Sequence, residues 1–307
     1  MIKFLFLGLK TRTHLTLQSL TMTLAEMINV LANLATLIFV ISSMLALGLS
    51  LTIQQILHPL KDVNLVVRAL LANFVLVPLL AFLLKTIIPL EPSLGIGLIL
   101  LATAAGAPFL PKLAQAAKAD VAFGVGLMVL LMVVTVIYVP VVLPLLLPGV
   151  SVNPADIARS LIVLMLIPLA VGLLVKARYE DIAATCQRHM AQASFISLLA
   201  VFVLMLIVNI ETLIGTIGSG AIIAAILFIL ISLAIGYFLG PSATTRPVMG
   251  LGTAQRNIAA AMVVATGNFG DDPNVLTMIL VGALLMLVML MPTAGELGKR
   301  SQQSSVP

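Results

Sequence analysis

The chain has 307 residues, 61% of them hydrophobic and only 9% charged, with a net charge of +5 and a mean hydropathy of +1.23. Soluble proteins are about 25% charged, so this composition excludes a soluble globular protein and leaves no room for a separate soluble domain. The basic balance is explained by cytoplasmic loops beside a membrane, so no nucleic-acid partner is expected.

Residues 1–26 begin "MIKFLFLGLK", like a signal peptide, but no small-residue cleavage site follows, and Lys10 and Arg12 interrupt the apolar run. They read as an interfacial leader, with a cleaved signal as the alternative. From residue 27 long apolar runs succeed one another. A spanning helix needs about 20 such residues, whereas barrel strands are about 10 long and alternate in polarity. The fold class is therefore an all-α polytopic membrane protein. Nine spans are predicted at 27–51, 64–88, 93–118, 121–147, 155–176, 190–210, 219–240, 247–268 and 273–295. Together they form one transmembrane unit over 27–300, followed by a tail at 301–307. Pro154, Asp156 and the pair Asp272-Pro273 suit first helical turns. The lone Cys186 makes no internal disulfide, and His14, His58 and His189 fall in predicted loops.

Loops on the N-terminal side carry five basic residues (Lys3, Lys10, Arg12, Lys85, Arg159). The other side carries ten: Lys61, Arg68, Lys112, Lys118, Lys176, Arg178, Arg188, Arg246, Lys299 and Arg300. This bias places the N-terminus outside and the C-terminus in the cytoplasm of a plasma or inner membrane.

The third span opens "PSLGIGL" at Pro92 and the eighth opens "PVMGLGT" at Pro247, an offset of 155 residues. Each precedes acidic residues (Asp120; Asp271 and Asp272) and then a Met- and Leu-rich span. An offset of five spans reverses direction in the membrane, so residues 27–147 and 155–296 read as an inverted repeat. Interrupted helices at matching positions of such a repeat point to the binding site of a secondary transporter. In the third span, Gly106, Pro108 and Pro111 fall within "GAPFLP" and predict unwinding near mid-membrane, where freed backbone groups need partners. Pro78, Pro140 and Pro168, each alone, read as simple kinks.

In the eighth span Thr253, Gln255, Arg256 and Asn257 lie about 9–15 Å along the helix from Pro247. An ionisable residue at that depth is a functional candidate, unless Arg256 snorkels to the headgroups. No Asp or Glu is predicted at mid-membrane. An organic anion is one source of the missing counter-charge, since guanidinium binds carboxylate, sulfonate or phosphate bidentately.

At these residues the sequence resembles the bile acid:sodium symporter family of secondary transporters. The resemblance is carried by "LLANFVLVPLLAF" (70–82), "GAPFLPKLAQAAKADVAFGVGLMVLL" (106–131) and "GTAQRNIAAAMVVA" (252–265). It implies a core of spans 2, 3, 4, 7, 8 and 9, with spans 3 and 8 broken and crossing, and a panel of spans 1, 5 and 6. It also implies transport of organic anions, inward with sodium. The family's sodium ligands carry over incompletely. A glutamate of the eighth-span motif aligns with Leu251, and further ligands align with Leu110, Pro111, Gly124 and Met128. What remains is Asn73, Gln255 and the backbone carbonyls of Gly252 and Ala254, so sodium is a possible ion at Asn73 and Gln255. Arg256 stands where the family has asparagine. The reading that follows is a guanidinium in place of sodium, hydrogen-bonded to the carbonyls of the broken helices; sodium bound by another ligand set is the alternative. Residues 106–108, 111 and 252–257, including Ala107, form the candidate substrate and ion site with Asn73.

Rival functions have weaker support. "GNFGDD" lacks the spacing of an intramembrane aspartyl protease, and "GLGTAQ" lacks the βαβ context of a nucleotide-binding turn, so no enzyme and no cofactor is expected. A channel would show rings of charge or a carbonyl filter. A ligand-binding sensor without flux stays open.

Overall fold

The structure is a computed structural model that describes residues 27–28, 30–57, 61–147, 153–208, 218–269 and 272–303. The leader, His58, Glu211, Asp271 and the end of the tail lie outside the described residues. Among those described, every regular element is helical. In chain order they are α1 (Val30–Ser50), the short α2 (Ile53–Leu57), α3 (Val63–Ile87), α4 (Pro92–Thr103), α5 (Leu110–Ala116) and α6 (Val121–Leu146). Then come α7 (Pro154–Arg178), α8 (Glu180–Val208), α9 (Ala221–Leu239), α10 (Thr245–Ala254), α11 (Ile258–Asn268) and α12 (Pro273–Gln303). Two boundaries differ from expectation. α8 starts at Glu180, next to the Lys176–Glu180 ion pair of 2.7 Å, and α12 continues through the first residues of the predicted tail.

Among the described residues six helices (α1, α3, α6, α7, α9, α12) are long and apolar enough to cross a membrane. Their outward faces say which solvent they meet. On α6, Ile137, Val141 and Leu145 recur every four residues and are exposed, while Val136, Val139 and Leu143 point inward. A surface helix in water would be polar on that outer face; here both faces are apolar, as a lipid-facing helix requires. The protein is an integral membrane protein.

Burial divides the helices. Of its most apolar stretch, α12 has 56% buried and α7 only 22%, so α12 belongs to the centre and α7 to the rim. α4 packs along α12, and α9 packs along α10. On the rim, α1 and α7 touch backbone to backbone. A Cβ on Gly48 would lie 2.2 Å from the Leu169 carbonyl, and one on Gly172 would lie 2.7 Å from that of Leu45. Small residues that allow such close approach are how helices pack where lipid removes the hydrophobic drive.

Two of the lone prolines act through π-turns rather than simple kinks. α3 widens at Ala72–Leu76, just before Pro78, and α7 at Ile162–Leu166, just before Pro168. Proline has no N–H to offer the carbonyl four residues back, and the chain absorbs this with an i→i+5 turn. Pro140 and Pro144 stay within the continuous α6.

Candidate functional site

The chain leaves the helix at 104–109 and again at 255–257. In the first segment Gly106 has φ +82°, and a Cβ there would lie 2.2 Å from the amide nitrogen of Met132. Only glycine fits, on both conformational and spatial grounds. Ala107 is buried and its carbonyl accepts from Leu110 N at 3.1 Å, which starts α5. Pro108 sits in the turn and Pro111 is the second residue of α5, where a missing N–H costs nothing. Thr135 of α6 holds the segment from the side: its Oγ1 accepts from Ala105 N at 3.0 Å and donates to Ala105 O at 3.1 Å.

The second segment contains neither glycine nor proline. Gln255 turns to extended geometry, with φ −78° and ψ 117°, while its N–H still closes α10 on Leu251 O. Asn257 then restarts the helix as an N-cap, its Oδ1 accepting from Ala260 N at 3.1 Å.

The two segments meet. Asn257 N donates to Ala104 O at 2.8 Å, and Asn257 Nδ2 to Gly106 O at 3.0 Å. Arg256 is 0% exposed, so it does not snorkel. Its guanidinium donates from Nε to Leu101 O (3.1 Å), from Nη2 to Ala102 O (2.6 Å), and from Nη1 to Thr253 O (3.1 Å) and Asn73 Oδ1 (2.8 Å). Leu101 and Ala102 lie in the last turn of α4, and Thr253 in the last turn of α10. These are carbonyls that a helix leaves without internal partners, at the negative ends of two helix dipoles. One side chain thus closes two helix ends. No carboxylate joins it: the ion pairs among the described residues are Lys176–Glu180, Lys299–Glu296 and Arg300–Glu296.

Asn73 reaches this point because of the π-turn. Its Nδ2 donates to Ala69 O (3.0 Å) and to Thr253 Oγ1 (3.3 Å), and the residue is fully buried. Pro78 strips the Phe74 carbonyl of its helical donor, and Tyr138 OH replaces it at 2.7 Å, its ring 4.8 Å from that of Phe74. Gly252 and Ala254 are buried inside α10. Gln255 alone of the polar run has no hydrogen bond through its side chain, and its Oε1 is buried.

Several contributors escaped the sequence reading. Thr135 and Tyr138 sit in an ordinary apolar span, and the backbone carbonyls of Leu101 and Ala102 have no sequence signature. Arg256 N also points to Met286 Sδ at 3.5 Å. Lys112 does not pair with Asp120. Its Nζ lies 5.6 Å from the Phe109 ring centroid, and Asp120 caps α6 by accepting from Phe123 N.

Away from the crossing, a cavity of about 150 Å³ opens between α1, α7, α11 and α12. Asn33, Thr36, Leu164, Val263 and Thr266 line it, and no basic side chain does. Both threonine hydroxyls are bonded to carbonyls of their own helices, Thr36 to Ala32 and Thr266 to Met262.

The chain belongs to the sodium bile acid symporter family, whose description matches residues 37–216. That range contains Asn73 and the first break and stops short of the second. A comparison with curated proteins returned no match. Family members are transporters, so the protein is a transporter rather than an enzyme.

Proposed function

We propose that this protein is a secondary transporter for an organic anion that works by alternating access and does not need sodium. On this reading α4 with α5, and α10 with α11, are each one interrupted span. With α8 they complete nine spans in an inverted repeat. The contact from Arg256 to Leu101 supports the repeat, since the two residues are 155 apart, the same offset as Pro92 and Pro247. α1, α7 and α8 would form the panel, and the cavity between α1, α7, α11 and α12 would lie where panel and core meet.

The observation that carries the reading is the guanidinium of Arg256 on the carbonyl ends of α4 and α10. A bound sodium ion needs several hard oxygen ligands. Here Leu110, Gly124, Met128 and Leu251 offer none, and Asn73 Oδ1 already accepts from Arg256. Among the described residues no three His, Cys, Asp or Glu side chains cluster to hold a metal. The residues present do not fit a sodium site, and they do fit a tethered cation. A fixed charge in a water-poor centre also favours an anion in the neighbouring crevice.

The test is thermal stabilisation of the purified protein by a panel of organic anions, in sodium and in choline buffer, followed by uptake into proteoliposomes. A ligand that binds the folded state raises the melting temperature by mass action. Equal stabilisation and saturable uptake in both buffers is the expected outcome. Stabilisation only in sodium would return the protein to sodium symport, and binding without flux would make it a sensor.

A further inference from the structure

α9 ends with two guanidinium groups laid on its last carbonyls. Arg68 of α3 donates from Nη1 to Leu239 O at 3.4 Å, and Arg246 of α10 donates from Nε to Gly240 O at 3.1 Å. Carbonyls at a helix end lack internal donors and form the negative end of its dipole, so both side chains are held at one point. Gly240 permits the approach: a Cβ there would lie 2.6 Å from Arg246 Cα.

These contacts leave donors over. Arg68 Nε bonds Asn64 Oδ1 at 3.1 Å, which leaves Nη2 without a partner, and Arg246 keeps both Nη1 and Nη2. Neither arginine enters an ion pair. Three carboxylates share this end of the molecule, and each is already engaged. Asp62 accepts from Leu65 N at 3.1 Å, Asp120 accepts from Phe123 N at 2.9 Å, and Glu296 pairs with Lys299 and Arg300.

Depth and surroundings indicate which anion meets them. α10 begins at Thr245, and its ten residues reach the crossing, about 15 Å away at 1.5 Å per residue. Half the hydrocarbon thickness of a bilayer is also about 15 Å. With the crossing at mid-membrane, the arginine pair stands at headgroup level. Below it α3 and α9 run side by side in opposite directions, since Gly220 at the far end of α9 meets Ile88, just beyond α3. Both turn apolar residues outward near the pair: Val67 and Leu71 on α3, and Phe238, 81% exposed, on α9. A soluble anion or an acidic protein segment gains nothing from that wall, whereas an acyl chain does.

We infer that Arg68 and Arg246 form a binding site for an anionic phospholipid, its phosphate on the two guanidinium groups and its acyl chains along α3 and α9. Guanidinium suits phosphate because its donors are paired and it is weakly hydrated. The site does not depend on the transport reading, since it lies at the opposite end of α10 from Arg256. A lipid held there braces the start of the helix whose other end carries the buried charge.

The test uses the full chain purified in a neutral detergent, with its melting temperature followed as phosphatidylglycerol or phosphatidylcholine is added. Phosphatidylglycerol should stabilise saturably, with an apparent affinity about tenfold tighter than phosphatidylcholine, the worth of one charge-assisted contact. Arg68→Gln combined with Arg246→Gln should bring that ratio to about one. Arg68→Lys with Arg246→Lys should keep part of it, and Lys299→Gln should leave it unchanged. A preference that survives the glutamine pair overturns the inference. So does equal stabilisation by the two lipids in the wild-type protein, a result that stands even where the variants fail to fold. Stabilisation by soluble glycerol phosphate or polyglutamate equal to that by phosphatidylglycerol would assign the pair to a free phosphate or an acidic protein segment, and overturns it as well.

Discussion

Between Thr103 and Leu110 the chain leaves the helix with a left-handed glycine and a proline. Between Ala254 and Ile258 it leaves with neither. The first break is imposed by the backbone: Gly106 takes φ +82° against Met132, and 104–109 carries no polar side chain of its own. The second is imposed by side chains that find better partners across the crossing than along their own helix. The first break supplies acceptors, the carbonyls of Leu101, Ala102, Ala104 and Gly106, and the second supplies the donors of Arg256 and Asn257. The two also differ in register. Counted from the matching prolines Pro92 and Pro247, α10 ends about one turn sooner than α4. Two segments can thus meet as complements, provided one lacks polar side chains and the other brings them.

If that division is right, removing the donor should do most damage. Arg256→Ala leaves three carbonyls and the Asn73 amide without their partner, at about 1–3 kcal/mol for each buried group left unmet. We expect loss of anion binding in the stabilisation assay and a large fall in melting temperature. Arg256→Lys keeps the charge but not the planar fork that reaches α4 and α10 at once, and should recover only part of the stability. Near-normal melting of the alanine variant would show that the helix ends do not depend on the guanidinium.

Gly106→Ala tests the acceptor side. The left-handed conformation costs an alanine about 1–2 kcal/mol, and the contact with Met132 adds to it. Reduced yield of folded protein and a lower melting temperature are expected, with the loss shared by Gly106→Ser. A tolerated alanine would mean that the first break does not require its backbone conformation.

Asn257→Ala should cost about 1–2 kcal/mol through the lost cap of α11 and the released Gly106 carbonyl. Asn257→Asp separates these roles, because it retains the acceptor for Ala260 N and loses the donor to Gly106 O. Aspartate should therefore fall between wild type and alanine in melting temperature. Pro111→Ala, finally, should change stability by well under about 1 kcal/mol, since the second residue of a helix needs neither proline nor its absence. A large effect would move responsibility for the break from Gly106 to the proline.

Legibility in the sequence followed the kind of signal. The all-helical membrane class came from hydropathy, and the positions of α1, α3, α6, α7 and α9, with the start of α12, fell within a few residues of the apolar runs. Gly106, Pro108 and Pro111 marked the first place where the chain leaves the helix, whereas 253–257 was legible only as a polar cluster, with a break there implied by the family resemblance. Their joining was not visible, because a backbone carbonyl looks the same at Leu101 as anywhere else. The π-turn that turns Asn73 inward was not visible either, since Pro78 alone predicts a kink.

The sequence by itself determined that this chain lives in a membrane, that an arginine stands in one of its apolar runs, and that glycine and proline interrupt the helix at 106–111. Those facts rest on local properties: transfer of side chains into lipid, and the backbone limits of glycine and proline. Only the tertiary structure decided what Arg256 does there. The partners of a buried charge are chosen across the fold, where carbonyls 154 and 155 residues away satisfy it and Gln255, its neighbour in sequence, is left free.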